Sequence, residues 1–327
     1  MITIKKKIIS TYIVISVGIM LFISSCVREE GVPCPNYLRI MYDYNMEYVD
    51  QFHTQVTFLS IFMFDAETGV LVREVKQKQD PFPEKYTMEV PSEWFGQNYD
   101  IVIWAGLNPD SYEFSSMTPG VSTIEDFQLK VKDYQSQLVN RNSELEPLWY
   151  GTLSDVRFDE FLEKTYTVSL MKDTKKFRIV VQSLDEDTPI TTNDLDIHIS
   201  SANGWYDNSN TVLDAKDREI IYKPYYFADD PEAGVIAEMN SLRLINDDRI
   251  NKLQVIDKAD GKPILDISLI KYINALRLLE FSSISLQEYL DREDNYYILI
   301  FLKNDGKNWV AAQIKINDWI IRTTEYN

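Results

Sequence analysis

The apolar segments of this chain are short, and that limits its fold more than any other feature. Tyr37–Tyr42, Val56–Phe64, Tyr99–Trp104, Tyr166–Leu170, Phe177–Val181, Ile197–Ile199, Tyr296–Leu302 and Trp309–Ile316 are brief and rich in β-branched and aromatic side chains. This pattern predicts strands. Tyr166-Thr167-Val168-Ser169-Leu170 and Ile197-His198-Ile199 alternate, as strands do with one face in a core and the other in water. Phe58–Phe64 is apolar nearly throughout and predicts a central strand covered on both faces. Helical periodicity is confined to two places. In Ser122–Leu138, Ile124, Phe127, Val131, Tyr134 and Leu138 recur at three- and four-residue spacing, and a second short helix is expected near Leu269–Leu279. The fold class is therefore mostly β with one or two short helices. Its 20 Tyr and 15 Phe suit packing between sheets.

The first residues have the layout of an export signal: Lys5-Lys6-Lys7, an apolar run from Ile8 to Ile23, then Ser24 and Ser25. That run falls short of the roughly 20 residues a spanning helix requires and contains Ser10, Thr11, Ser16 and Gly18, so cleavage is the expectation. Ile23-Ser24-Ser25-Cys26 resembles a bacterial lipobox, which implies cleavage between Ser25 and Cys26 and acylation of Cys26. Several acyl chains hold a protein stably in a membrane where one does not. Val27-Arg28-Glu29-Glu30 resembles an acidic surface-export signal; a solvated linker is the alternative. Cleavage after Ser25 removes three lysines and no acids, which takes the formal charge from −18 to −21. So acidic a surface excludes nucleic acid as a partner.

With Cys26 acylated, only Cys34 remains, so the fold has no internal disulfide to rely on. A body of this length exceeds what one core comfortably fills. Two matching stretches suggest related units: Phe62-Met63-Phe64-Asp65 leads to Gly69, and Val255-Ile256-Asp257 leads to Gly261. Each predicts a hairpin with Gly at positive φ. The polar stretch Met171–Lys176 marks the expected boundary.

Catalytic patterns are absent. His53 and His198 are the only histidines, and no HExxH, CxxC, GxSxG, Walker A or GxGxxG sequence occurs. The alternation places His198 opposite Ile197 and Ile199, so it reads as a surface histidine. The acid clusters Asp185-Glu186-Asp187, Asp229-Asp230-Pro231-Glu232 and Asp291-Arg292-Glu293-Asp294 read as solvated loops. None follows the EF-hand ligand order. No catalytic residue, metal site or cofactor is expected.

Near the start stands Cys34-Pro35-Asn36-Tyr37-Leu38-Arg39 followed by Tyr42-Asp43-Tyr44-Asn45-Met46, and toward the end Gln287–Glu293, Tyr296, Trp309 and Ile314-Lys315-Ile316-Asn317-Asp318-Trp319. These resemble the opening and closing segments of the FimB-type fimbrial anchor family of Bacteroidales, with Asp318 where Gly is expected. Trp104-Ala105-Gly106, Trp149-Tyr150-Gly151 and Tyr222-Lys223-Pro224 are softer matches. The resemblance implies two tandem transthyretin-like β-sandwich domains, and the chain divides accordingly: signal peptide 1–25, lipidated tether 26–36, N-terminal sandwich 37–173 and C-terminal sandwich 174–327. It also implies a fimbrial base subunit held in the outer membrane through acyl chains, whose partners are fimbrial shaft subunits added by strand exchange. Trp319, Ile320, Ile321 and Arg322 form the candidate joining strand; an ordinary edge strand is its alternative. A surface glycan-binding lipoprotein using Trp94, Trp205, Tyr225 and Tyr226 is the rival function, and a hydrolase comes third.

Overall fold

The computed structural model describes residues 33–185, 187–304, 309–317 and 319–323, the last of these as backbone. Ser25 and Cys26 lie outside the described residues. The first half contains β1 (Asn36–Tyr44), α1 (Phe52–Gln55), β2 (Phe58–Asp65), β3 (Leu71–Lys78), β4 (Thr87–Val90), β5 (Asn98–Ala105), β6 (Tyr112–Phe114), β7 (Gln128–Val131), β8 (Leu138–Val139), β9 (Trp149–Arg157) and β10 (Lys164–Lys172). The second half contains β11 (Lys175–Ser183), β12 (Leu195–Ser201), β13 (Trp205–Asp207), β14 (Ile220–Tyr222), β15 (Tyr226–Asp230), β16 (Gly234–Ser241), β17 (Asn251–Asp257) and β18 (Pro263–Ser268). It continues with α2 (Leu269–Glu280), α3 (Leu286–Arg292), β19 (Asn295–Asn304), β20 (Trp309–Ile316) and β21 (Trp319–Thr323). All eight segments expected to be strands are strands.

Four sheets result. Seven strands lie in the order β3-β2-β5-β9-β10-β1-β4, six in β15-β16-β11-β19-β20-β21, five in β18-β17-β12-β14-β8, and three in β13-β7-β6. The covered central strand expected at Phe58–Phe64 is β2. Its Leu59, Ile61 and Met63 enter one core, and Phe62 and Phe64 enter another. β5 repeats this, with Ile101 and Ile103 on one side and Val102 and Trp104 on the other. The period-2 geometry of a strand thus serves two cores at once. The second of these cores continues through Phe127, Leu129 and Tyr206 into the sheets of the second half.

Strand pairing also joins the halves. β7 pairs with β13 (Leu129 opposite Tyr206), and β8 pairs with β14 (Val139 opposite Tyr222). Asp173 and Thr174, which link β10 to β11, are buried rather than solvated.

The helix expected over Ser122–Leu138 does not form. The segment makes 3-10 turns at Ile124–Asp126 and Tyr134–Ser136, separated by β7 and followed by β8. Phe127, Leu129 and Val131 form a period-2 apolar series that overlaps the helical one, and all three are buried. Asp133 and Gln137 take positive φ, 64° and 57°, which a helix excludes. The helix expected near Leu269–Leu279 is α2. Both Asp-to-Gly turns are present, closing the β2–β3 and β17–β18 hairpins. Gly69 (φ 69°) and Gly261 (φ 73°) each donate N–H to the aspartate carbonyl four residues earlier, at 2.8 Å.

Candidate functional site

Strand exchange needs an edge with unpaired backbone groups. Proteins normally blunt such edges with charge, brevity or proline. Among the described edge strands, β3 carries Glu74, β4 Glu89, β15 Asp229 and Asp230, β18 Asp266, β13 Asp207 and β6 Glu113, while β8 is two residues long. β21 alone is longer than two residues and free of acids. Trp319, Ile320, Ile321 and Arg322 therefore lie together on this outer strand, bonded on one side to β20 in the register Ile316 opposite Trp319 and Gln313 opposite Thr323. The turn into β21 is held at Asn317, whose φ of 42° suits asparagine. Its N–H donates to Tyr297 O, and its side-chain oxygen accepts from Tyr297 N–H, both at 2.9 Å. Asp318 lies outside the described residues.

A buried ionic junction lies where β10 passes to β11. Lys175 is fully buried, and its ammonium donates to the carbonyls of Lys172 (3.2 Å), Asp291 (3.1 Å) and Glu293 (2.9 Å). Arg243 grips Asp291 with two parallel bonds of 2.7 and 2.9 Å. Gln287 donates to the same carboxylate at 2.8 Å. Lys172 pairs with Asp294 at 2.6 Å. The Arg292 guanidinium lies over Tyr44 and Tyr48, 4.0 and 4.4 Å from the ring centres, and donates to Asn45 O at 3.3 Å. α3 is thereby fastened to the end of β1 and to the β10–β11 link.

Asp173 is fully buried. One carboxylate oxygen accepts from Asn210 at 2.9 Å and the other has no hydrogen-bond partner. Burial raises it to about 6, opposed mainly by Arg243. Burial likewise lowers Lys175 to about 8, opposed mainly by Asp291. Charges this deep are retained only where partners compensate for lost water.

These residues correct two expectations. Asp291 and Arg292 sit on α3, with Asp291 buried in its ion pair, so this part of the acid cluster is not a solvated loop. His198 does lie opposite Ile197 and Ile199 but is buried. Its Nε2 lies 3.2 Å from Gln254 Oε1 and its Nδ1 3.4 Å from Lys223 Nζ. Burial first, then Lys223, lowers its pKa, and the ring is neutral and structural. The sequence did signal the junction through its polar residues at 171–176 and 291–294, but polarity suggested exposure.

The aromatics suggested for glycan contact do not assemble into a platform. Trp94 is buried beneath the Arg73 guanidinium, 4.7 Å from its ring centre. Trp205 belongs to β13, with Lys130 over its ring at 4.5 Å. Tyr225 donates to Glu144 at 2.6 Å, and of the four only Tyr226 is exposed. Among the described residues, no three His, Cys, Asp or Glu side chains gather as metal ligands do, and no helix is long and apolar enough to cross a membrane.

A family model described as fimbrillin-A associated anchor proteins Mfa1 and Mfa2 matches residues 30–325. The fold is similar to a Bacteroides thetaiotaomicron structure described as a candidate polysaccharide-binding protein. Identity is 35%, coverage 89% of this chain and 98% of that one, and the TM-score 0.78. A candidate adhesin of the same organism matches at 29% identity, 91% and 100% coverage and a TM-score of 0.76. The Porphyromonas gingivalis fimbrial anchor Mfa2 shares the fold at 20% identity, covering 89% of this chain and 100% of its own, with a TM-score of 0.70. No curated relative matches the sequence.

Proposed function

The chain belongs to the family of fimbrillin-A associated anchor proteins, and from that premise we propose that it is the lipid-tethered base subunit of a fimbria. Its role is structural: family membership associates it with the fimbrium at the cell surface, and no catalytic constellation is assigned to it. Cleavage between Ser25 and Cys26 followed by acylation of Cys26 anchors it in the outer membrane. Residues 26–36 form the tether, and 37–173 and 174–327 form two transthyretin-like sandwiches that lean on one another through β7 and β8. The neighbouring shaft subunit joins at β21. Fixing the base in this way retains the fibre and limits its length.

One observation supports the joint above all: β21 is the described sheet edge of more than two residues that carries no acid, its one charge being Arg322. The buried Trp94 and covered Trp205 favour this reading over a glycan-binding surface. Deleting Trp319–Asn327 should release fimbriae from the cells or alter their length, as seen by immunogold labelling. Attached fibres of normal length would show that the joint lies elsewhere. Separately, Cys26→Ala should accumulate a larger, unprocessed precursor.

A further inference from the structure

The tether enters the fold at a bonded corner. Cys34 N–H donates to Glu160 O at 2.9 Å. The buried amide of Asn36 donates to Cys34 O (3.2 Å), Asp159 O (2.8 Å) and Leu162 O (3.2 Å), while its oxygen accepts from Asp159 N–H at 3.2 Å. These bonds lock the β9–β10 loop to the start of β1. At the loop's tip, Phe161 is 61% and Leu162 56% exposed. Phe158 just before them is fully buried, its ring 6.0 Å from Tyr99 and 5.5 Å from Tyr166. The loop therefore has a rigid root and an apolar tip that faces away from the core.

β1 and β10 run in parallel from Asn36 and Lys164 to Tyr44 and Met171. The tip thus stands at the sheet end opposite the junction with the second half. Seven residues separate Cys26 from Cys34, a reach of at most about 28 Å. A surface this close to an acyl anchor faces lipid before it faces any other apolar phase.

We propose that Phe161 and Leu162 make a second, non-covalent contact with the membrane at the lipid interface beside the tether. This rests on the reading of Cys26 as acylated. Glu160 and Glu163 flank the tip and keep the contact shallow, since their carboxylates must stay hydrated. Lys164 and Arg157, at the same sheet end, are placed to meet headgroup phosphates. One covalent and one apolar contact together fix the tilt of the first sheet, which a flexible tether alone leaves free.

The test uses the acylated full-length protein with Cys34→Ala, purified from membranes and reconstituted in phosphatidylethanolamine–phosphatidylglycerol vesicles. A nitroxide is placed at Leu162→Cys or, as control, at Leu278→Cys on the exposed face of α2. Mass spectrometry reports acylation independently. We expect the label at 162 to be reached better by oxygen than by a water-soluble nickel chelate, and the label at 278 to show the reverse. An acylated, vesicle-bound protein whose two labels are equally open to the chelate overturns the inference and leaves the lipid anchor standing. Shielding of residue 162 from both reagents means a protein cover and overturns it too. An unacylated Cys26 overturns the anchor and this inference together.

Discussion

Asp173 and Lys175 stand two residues apart, fully buried, where β10 passes to β11. Their protonation makes the junction sensitive to pH in opposite directions. Burial raises Asp173 from 3.8 to about 6, so the folded state favours its neutral form. Its contribution to stability is complete below about 4 and is lost as pH rises through about 6. Lys175 is lowered from 10.5 to about 8, so its burial penalty persists below about 8 and is relieved between there and 10.5. Asp173→Asn keeps an oxygen for Asn210 and removes the titration. We expect this variant to gain up to about 3 kcal/mol at pH 7.5, roughly two pKa units' worth, and to lack the fall in Tm between pH 4 and 7 expected of the parent. Parallel melting curves across that range would exclude the assignment. Lys175→Met removes the donor shared by three carbonyls, and should destabilise by on the order of 3 kcal/mol in urea titrations at neutral pH.

At the scale of elements, the sheets depend on a few positions where the backbone must come close. Gly106 ends β5 with φ +78°, its N–H donating to Phe58 O at 3.0 Å, and a Cβ there would collide with the Pro147 carbonyl oxygen. Gly106→Ala should therefore cost about 3 kcal/mol or more, through both the clash and the left-handed conformation. A urea midpoint equal to the parent's would refute that. β7 teaches a complementary lesson. A residue series such as 124, 127, 131, 134 fits a helix, but Leu129 between them is buried as well, and a helix would turn it to the opposite face.

For the whole molecule, the direction of load matters. β1 lies between β10, to which it is parallel, and β4, to which it is antiparallel. In the arrangement we propose, the tether joins β1 at the sheet end opposite the one where β10 leads to the second half. A pull between residues 26 and 323 would then shear both ladders of β1 along their length, loading their hydrogen bonds together. Arg292 on Tyr44 and Lys175 under α3 fasten the far end. Single-molecule pulling through residues 26 and 323 should rupture at higher force than pulling through 26 and Glu163, which peels β1 from β10 one bond at a time. Equal forces would rule out a shear-loaded anchor.

The strands, the two Asp-to-Gly hairpins and α2 were legible in the sequence, because each is governed by local periodicity or by one residue's backbone preference. Trp319 to Arg322, expected as a strand, do form one, β21. What the linear pattern could not carry was which surfaces meet. It marked 171–176 as a polar boundary and 291–294 as a solvated loop, but Arg243 and the carbonyls of α3 reach Asp291 and Lys175 from distant parts of the chain and make their burial tolerable. Nor did it show that β7 and β8 cross into the second half, or that the other described edges longer than two residues carry acids while β21 carries only Arg322. Polarity and periodicity belong to residues and their near neighbours; burial, pairing and edge position arise only when segments far apart in sequence are brought together.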